Sequence, residues 1–201
     1  MIQVKKTTLF KLYLAACYIF GVGTLHAEVP SKLEPLYAEA VLAYNSADSN
    51  RALALINVLQ KKIPNSTEIL ELKALILKPT QPGRSAEVYK DLIRVKTAEK
   101  KPAKEIAPYY FELATMKFQN KEFAEAKAFF LKCSQAKFNS SASEFFLGMI
   151  SFQTNDFSKA EEHFNTIFRD KGLPAEIAKS VIAFGSMTLL RGKFSYWETR
   201  L

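Results

Sequence analysis

The sequence predicts an all-α fold: an α-solenoid of about four helix-turn-helix repeats plus a further helix, preceded by an export signal. Three observations carry this reading. First, residues 113–126 read LATMKFQNKEFAEA and residues 147–160 read LGMISFQTNDFSKA, and the pairs Leu113/Leu147, Phe118/Phe152, Gln119/Gln153, Phe123/Phe157, Ala126/Ala160 and Phe130/Phe164 all lie 34 residues apart. A fixed period of that length marks stacked helix pairs, none of which buries its apolar face alone. Second, small residues recur at two places in the period, Ala40, Ala74, Ala114, Gly148 and Gly185 at one and Ala52, Ala86, Ala126 and Ala160 at the other. Helices approach closely only where the facing residues are small. Third, turn formers separate the periodic stretches, at Asn45-Ser46, Pro64-Asn65, Pro79 to Gly83, Asn139-Ser140 and Lys171-Gly172.

The helices follow in order: 33–45 with 50–62, 67–78 with 84–95, 107–119 with 122–136, and 141–153 with 157–169, then a further helix from about 174 to 190. In the third and fourth pairs, Phe123 and Phe157 with Phe130 and Phe164 fill the space between pairs. Pro79 and Pro82 shorten the first helix of the second pair. The steps between Ala52, Ala86, Ala126 and Ala160 are 34, 40 and 34, so one unit carries six extra residues. These fall in the lysine-rich stretch around Thr97–Ile106, which includes Pro102 and is read as a solvated connection.

Residues 33–170 resemble the tetratricopeptide repeat family, on the small residues at Ala40, Ala74, Ala114 and Gly148 and at Ala52, Ala86, Ala126 and Ala160. The fourth unit matches best and the second departs most. The resemblance implies antiparallel helix pairs whose first helices line a concave face. On that face it points to Tyr37, Val41, Tyr44 and Asn45 in the first unit. The third unit contributes Phe111, Thr115, Phe118 and Gln119, and the fourth Phe145, Met149, Phe152 and Gln153. This is an aromatic stripe edged by side-chain amides, suited to hold apolar anchors of a peptide and to bond its backbone. Aromatics at helical spacing serve a core equally well, and the sequence leaves both readings open. The lysine-and-asparagine clamp by which the family holds a chain terminus is not evident.

The N-terminus has the grammar of a secretory signal. Lys5, Lys6 and Lys11 precede an apolar run from Leu12 to Leu25, and the segment closes on Leu25-His26-Ala27 before Glu28. The run is short for a membrane span. Cleavage near Ala27 is expected, giving a signal peptide over 1–27, a short linker over 28–32, the repeat domain over 33–192 and a truncated or extended segment over 193–201. An uncleaved anchor is the plainer alternative, and Leu14-Ala15-Ala16-Cys17 has the look of a lipoprotein box. Removal of the signal takes three lysines and no acids, lowering the net charge from +8 to +5. Export and scattered basic residues argue against nucleic acid as a partner.

Signals for chemistry are sparse. Beyond the signal only Cys133 and His163 remain of their kinds. Cys133 is read as a packed thiol without a histidine to activate it. His163, beside Glu161 and Glu162, is read as part of a solvated helix face, because a metal site needs three or four convergent ligands. Gly148 and Gly185 are close-contact positions, Gly83, Gly172 and Gly192 are turns, and none cradles a phosphate. Asn65-Ser66-Thr67 and Asn139-Ser140-Ser141 match the glycosylation pattern and are read as helix caps. No cofactor, metal or catalytic residue is assigned.

Gly185 and Phe194 fit a fifth unit, but its second small position falls on Trp197, so the unit breaks down after Gly192-Lys193 and the chain closes on strand-type residues. Such an ending reads as a truncated chain. Residues 145–193 are similar to the periplasmic repeat domain of surface lipoprotein assembly modifiers, on Leu147 to Phe168, Gly172-Leu173-Pro174, a helix to Leu190, and Arg191-Gly192 before an aromatic strand. That family carries a C-terminal outer-membrane barrel. The expectation is therefore an exported, periplasmic, non-catalytic scaffold that binds a protein or peptide in its concave groove. The alternative is the periplasmic front end of an outer-membrane barrel protein, associated with that membrane.

Overall fold

The structure, a computed structural model, describes residues 29–169, with side chains described through residue 167. The expected signal, the helix at 174–190, Gly172, Gly185, Gly192, Trp197 and the segment 193–201 lie outside the described residues. Within them the chain is all-α, with eight helices in sequence: α1 Glu34–Asn45, α2 Ser49–Lys62, α3 Thr67–Leu77, α4 Pro82–Ala98, α5 Ala103–Gln119, α6 Phe123–Gln135, α7 Ser140–Gln153 and α8 Phe157–Arg169. Consecutive helices pack as hairpins within two compact units, the first ending at Leu77 and the second beginning at Lys78. The division falls inside the repeat that departs most from the pattern.

The first unit holds α1 to α3. Pro35 stands in the first turn of α1, where its missing N–H costs nothing. Asp48 caps α2, its carboxylate accepting from the Arg51 N–H at 3.1 Å. Ala40 and Ala52, the two small repeat positions, are fully buried and let α1 and α2 touch over Ile56, Leu59, Ile69, Leu72 and Ile76. Tyr37, Val41 and Tyr44 are half-buried at the margin of that core.

The second unit holds α4 to α8. Ala114, Ala126, Phe130, Leu147 and Ile150 form one buried cluster, and Ala160, Phe164 and Ile167 another. Full burial of a ring such as Phe130 is worth roughly 2–3 kcal/mol. Gly148 lies against Phe164: a Cβ there would sit 2.5 Å from Cε1 of that ring. The expected close contact is therefore real, and it is a helix against a phenylalanine face.

Three expectations need correction. Gly83 is in the first turn of α4, not in a turn between helices, because Pro82 is pre-set for a helix start. The same helix buries Ser85, Val88, Tyr89, Leu92 and Val95, so Ser85 and not Ala86 takes the interior place; Ala86 is half-buried. The six extra residues do not form a loop. Relative to the 34-residue period, α4 ends three residues later than α6, and α5 begins three residues earlier than α7. The connections 99–102 and 136–139 are equally long. The insertion is thus helix on both sides of the turn, lengthening this hairpin by about 4.5 Å at ~1.5 Å per residue. One consequence is that Pro108 lies inside α5, where it has no N–H for the Lys104 carbonyl.

Five helices end in the same way. Ala47, Lys100, Lys121, Lys137 and Asn155 are left-handed, at φ 59°, 55°, 62°, 53° and 62°. The residue after each donates back across the turn, as in Asp48 N–H to Ala43 O at 2.9 Å and Phe138 N–H to Cys133 O at 3.0 Å. Asn139, expected as a cap, has φ 43° and makes no side-chain cap bond to α7. The residue type is explained by Asn's tolerance of left-handed backbone.

Candidate functional site

The twelve residues of the expected groove fall on three helices. Tyr37, Val41, Tyr44 and Asn45 are on α1 in the first unit, where Val41 and both tyrosines are half-buried and Asn45 is exposed. The other eight are on α5 and α7 in the second unit. Phe111, Thr115 and Phe118 are half-buried on α5, Phe145, Met149 and Phe152 half-buried on α7, and Gln119 and Gln153 exposed at the ends of the two helices. None of the twelve is fully buried.

Their rings are shared between core and surface. Phe111 packs edge-on against Phe130 at 5.6 Å between centroids, and Phe118 lies tilted against Phe123 at 5.8 Å. Phe145 lies 6.2 Å from Phe164, and Phe152 5.5 Å from Phe157. One face of each ring therefore holds the second helix of its pair, at about 0.5–1.5 kcal/mol per aromatic pair beyond area burial. The two readings left open by the sequence are combined in one row of side chains. Thr115 is less available: its Oγ1 donates to the Phe111 carbonyl at 2.6 Å within its own helix.

A residue absent from the expected groove ties the row together. Phe146 lies 6.2 Å from Phe111, 5.2 Å from Phe118 and 5.7 Å from Phe145, and stacks on Phe130 at 4.7 Å with planes 6° apart. Through it α5 and α7 are joined side by side. Its counterpart one period earlier is Glu112, so the repeat comparison gives no reason to single it out; the adjacent pair Phe145-Phe146 was the available signal. Tyr110, Phe129 and Lys132 form a second unforeseen group, with the ammonium 4.4 Å from the Tyr110 ring centre.

His163 is not on a solvated face. Its Nδ1 lies 2.7 Å from Glu144 Oε2, and Ser134 Oγ donates to Glu144 Oε1 at 2.7 Å. The array links α6, α7 and α8. Burial pushes the Glu144 carboxyl up, but the hydrogen bonds from His163 and Ser134 and the imidazole charge outweigh it and hold the group below its usual range. The serine bonds the carboxylate and not the imidazole, so the three residues do not form a nucleophile–base relay. Cys133 is fully buried, donates to the Ala107 carbonyl at 3.4 Å, and has its thiol pushed up to about 12 by burial. Among the described residues no group of three or more His, Cys, Asp or Glu is placed to hold a metal.

No protein-family model matches the chain, and no curated protein matches it in sequence. Solved structures do. The chain is similar to BtubC from P. vanneervenii, with a TM-score of 0.65 at 15% identity over 96% of this chain and 84% of that one. It is similar to MamA from Desulfovibrio magneticus RS-1, with a TM-score of 0.59 at 20% identity over 84% and 96%. It is also similar to the nearly identical TPR-like repeats of a putative kinesin light chain from Podosopora anserina, with a TM-score of 0.59 at 16% identity over 84% and 93%. At these identities the likeness shows the fold, a tetratricopeptide-like helical repeat. It carries nothing specific to surface lipoprotein assembly modifiers, and residues 170–193 of that resemblance lie outside the described residues.

Proposed function

We propose that the chain is an exported, non-catalytic repeat scaffold whose second unit binds an extended protein segment along α5 and α7. One observation carries the reading. Phe111, Phe118, Phe145 and Phe152 form a half-buried row, pinned from behind by Phe123, Phe130, Phe157 and Phe164, with Gln119 and Gln153 exposed beside it. Rings fixed in this way lose little entropy on contact, so apolar anchors gain from them at low ordering cost. The amides supply donors and acceptors for a peptide backbone. Protein binding is in keeping with the fold.

The test uses the amides, because they can be cut back without opening the core. A displayed library of random twelve-residue peptides is panned on the chain, and selected peptides are titrated against Gln119→Ala with Gln153→Ala. Binding should weaken at least tenfold while thermal stability stays unchanged. Selected peptides that bind the double variant as well as the parent would place the site elsewhere.

A further inference from the structure

The insertion that lengthens α4 and α5 places charge as well as length at one edge of the second unit. The turns α4–α5 and α6–α7 lie at the same end, since consecutive helices run antiparallel. Among the described residues, that edge carries Lys96, Lys100, Lys101, Lys104, Lys132 and Lys137 against three carboxylates, Glu99, Glu105 and Glu144. Glu144 is already committed to His163 and Ser134. Lys101 reaches Glu99 only at 4.0 Å, and Lys96, Lys100, Lys104 and Lys137 have no carboxylate within ion-pair distance among the described residues. The opposite edge is nearer balance: among the described residues Lys117, Lys121, Lys127 and Lys159 face Glu122, Glu125 and Asp156, with Lys117 and Lys159 paired.

Helix energetics do not account for this polarity. Lysine in a last turn complements the helix dipole, which explains Lys96 and Lys132. Lys104 is in the first turn of α5, where a cation is disfavoured. The added turn of α5 also forces Pro108 into a helix interior. Length and charge are both kept at a cost in local stability.

We propose that this edge is a docking surface for an anionic lipid bilayer, met first by the elongated α4–α5 tip. The partner follows from what the tip lacks. Residues 97–105 are all exposed, and apart from charged residues they are Thr97, Ala98, Pro102 and Ala103. A protein partner needs apolar anchors at the centre of its contact, and residues 97–105 offer none; Leu131, the exposed large apolar side chain of α6, lies outside that tip. A plane of phosphate headgroups needs only projecting ammonium groups, each strengthening attachment about fivefold when it reaches the surface.

The experiment is sedimentation of the full chain with vesicles of phosphatidylcholine alone or containing one part in three phosphatidylglycerol. The neutral vesicles record attachment by the apolar N-terminal run, and any anionic preference from Lys5, Lys6 and Lys11 is common to the parent and both variants. The chain should prefer the anionic vesicles, and the preference should fall with salt. The variant with Lys96, Lys100, Lys101 and Lys104 each changed to Gln should lose at least tenfold of that preference with unchanged helix content. Lys121→Gln with Lys159→Gln, on the opposite edge, should lose less than twofold. Equal loss in the two variants overturns the proposal. So does tight binding to poly-glutamate or duplex DNA without preference for anionic vesicles.

Discussion

Replacing Gly148 by alanine gives a direct measure of how closely α7 and α8 meet. The new Cβ would lie 2.5 Å from Cε1, 2.8 Å from Cζ and 2.9 Å from Cδ1 of Phe164. Comfortable carbon contacts lie at about 3.5–4.0 Å, so the ring or the helix has to move by about 1 Å. The ring is not a flexible tip that swings aside: it is 2% exposed and packs on Phe145. Overpacking of this kind costs about 2–3 kcal/mol. Alanine returns about 1 kcal/mol through helix propensity. The net loss should be about 1–2 kcal/mol, read as a lower urea midpoint with little change in slope. Gly83→Ala is the matched control, because a Cβ there meets nothing within 4 Å. It should be neutral or stabilising by up to about 1 kcal/mol. Gly148→Ala combined with Phe164→Leu should lose less than the sum of the two single changes, because they share one contact. A Gly148→Ala protein as stable as its parent would refute the close approach.

Two further outcomes follow from the groups between the helices. Glu144 is held below its usual carboxylate range by His163 and Ser134. Its contribution is therefore full above the unfolded value near 4.5 and is lost as pH falls through the depressed native value. Stability followed from pH 6 to pH 3 should fall more steeply in the parent than in Glu144→Gln, and parallel curves would remove the array from the account. Cys133 should resist an aromatic disulfide reagent in the native protein at pH 8, since its thiol is buried and pushed up to about 12, and should react at once in denaturant. Rapid native reaction would show that the α5–α6 packing opens.

The repeat pattern made the helices legible to within a few residues, because alanine or glycine at a helix crossing and phenylalanine between pairs leave a periodic trace. Ala40, Ala52, Ala114, Ala126 and Ala160 are all fully buried as that trace requires. What left no trace was anything that breaks the period. Phe146 joins α5 to α7, yet its repeat partner is Glu112. Glu144 and His163 are 19 residues apart on different helices and look like ordinary surface charges until the helices are packed. The lysine-rich stretch reads as loop by composition, but both flanks continue as helix to Ala98 and from Ala103.

By itself the sequence determined the all-α class, the helix pairs α1–α2, α5–α6 and α7–α8, and most of the small residues at their crossings, since these depend on local periodicity and side-chain volume. Only the tertiary structure decided how the phenylalanines are used. Whether a ring is core or surface depends on which neighbour covers each face, and that is a property of packed helices, not of spacing along one of them. The same holds for charge: the lysines of two turns become a single basic edge only when antiparallel packing brings those turns to the same end of the second unit.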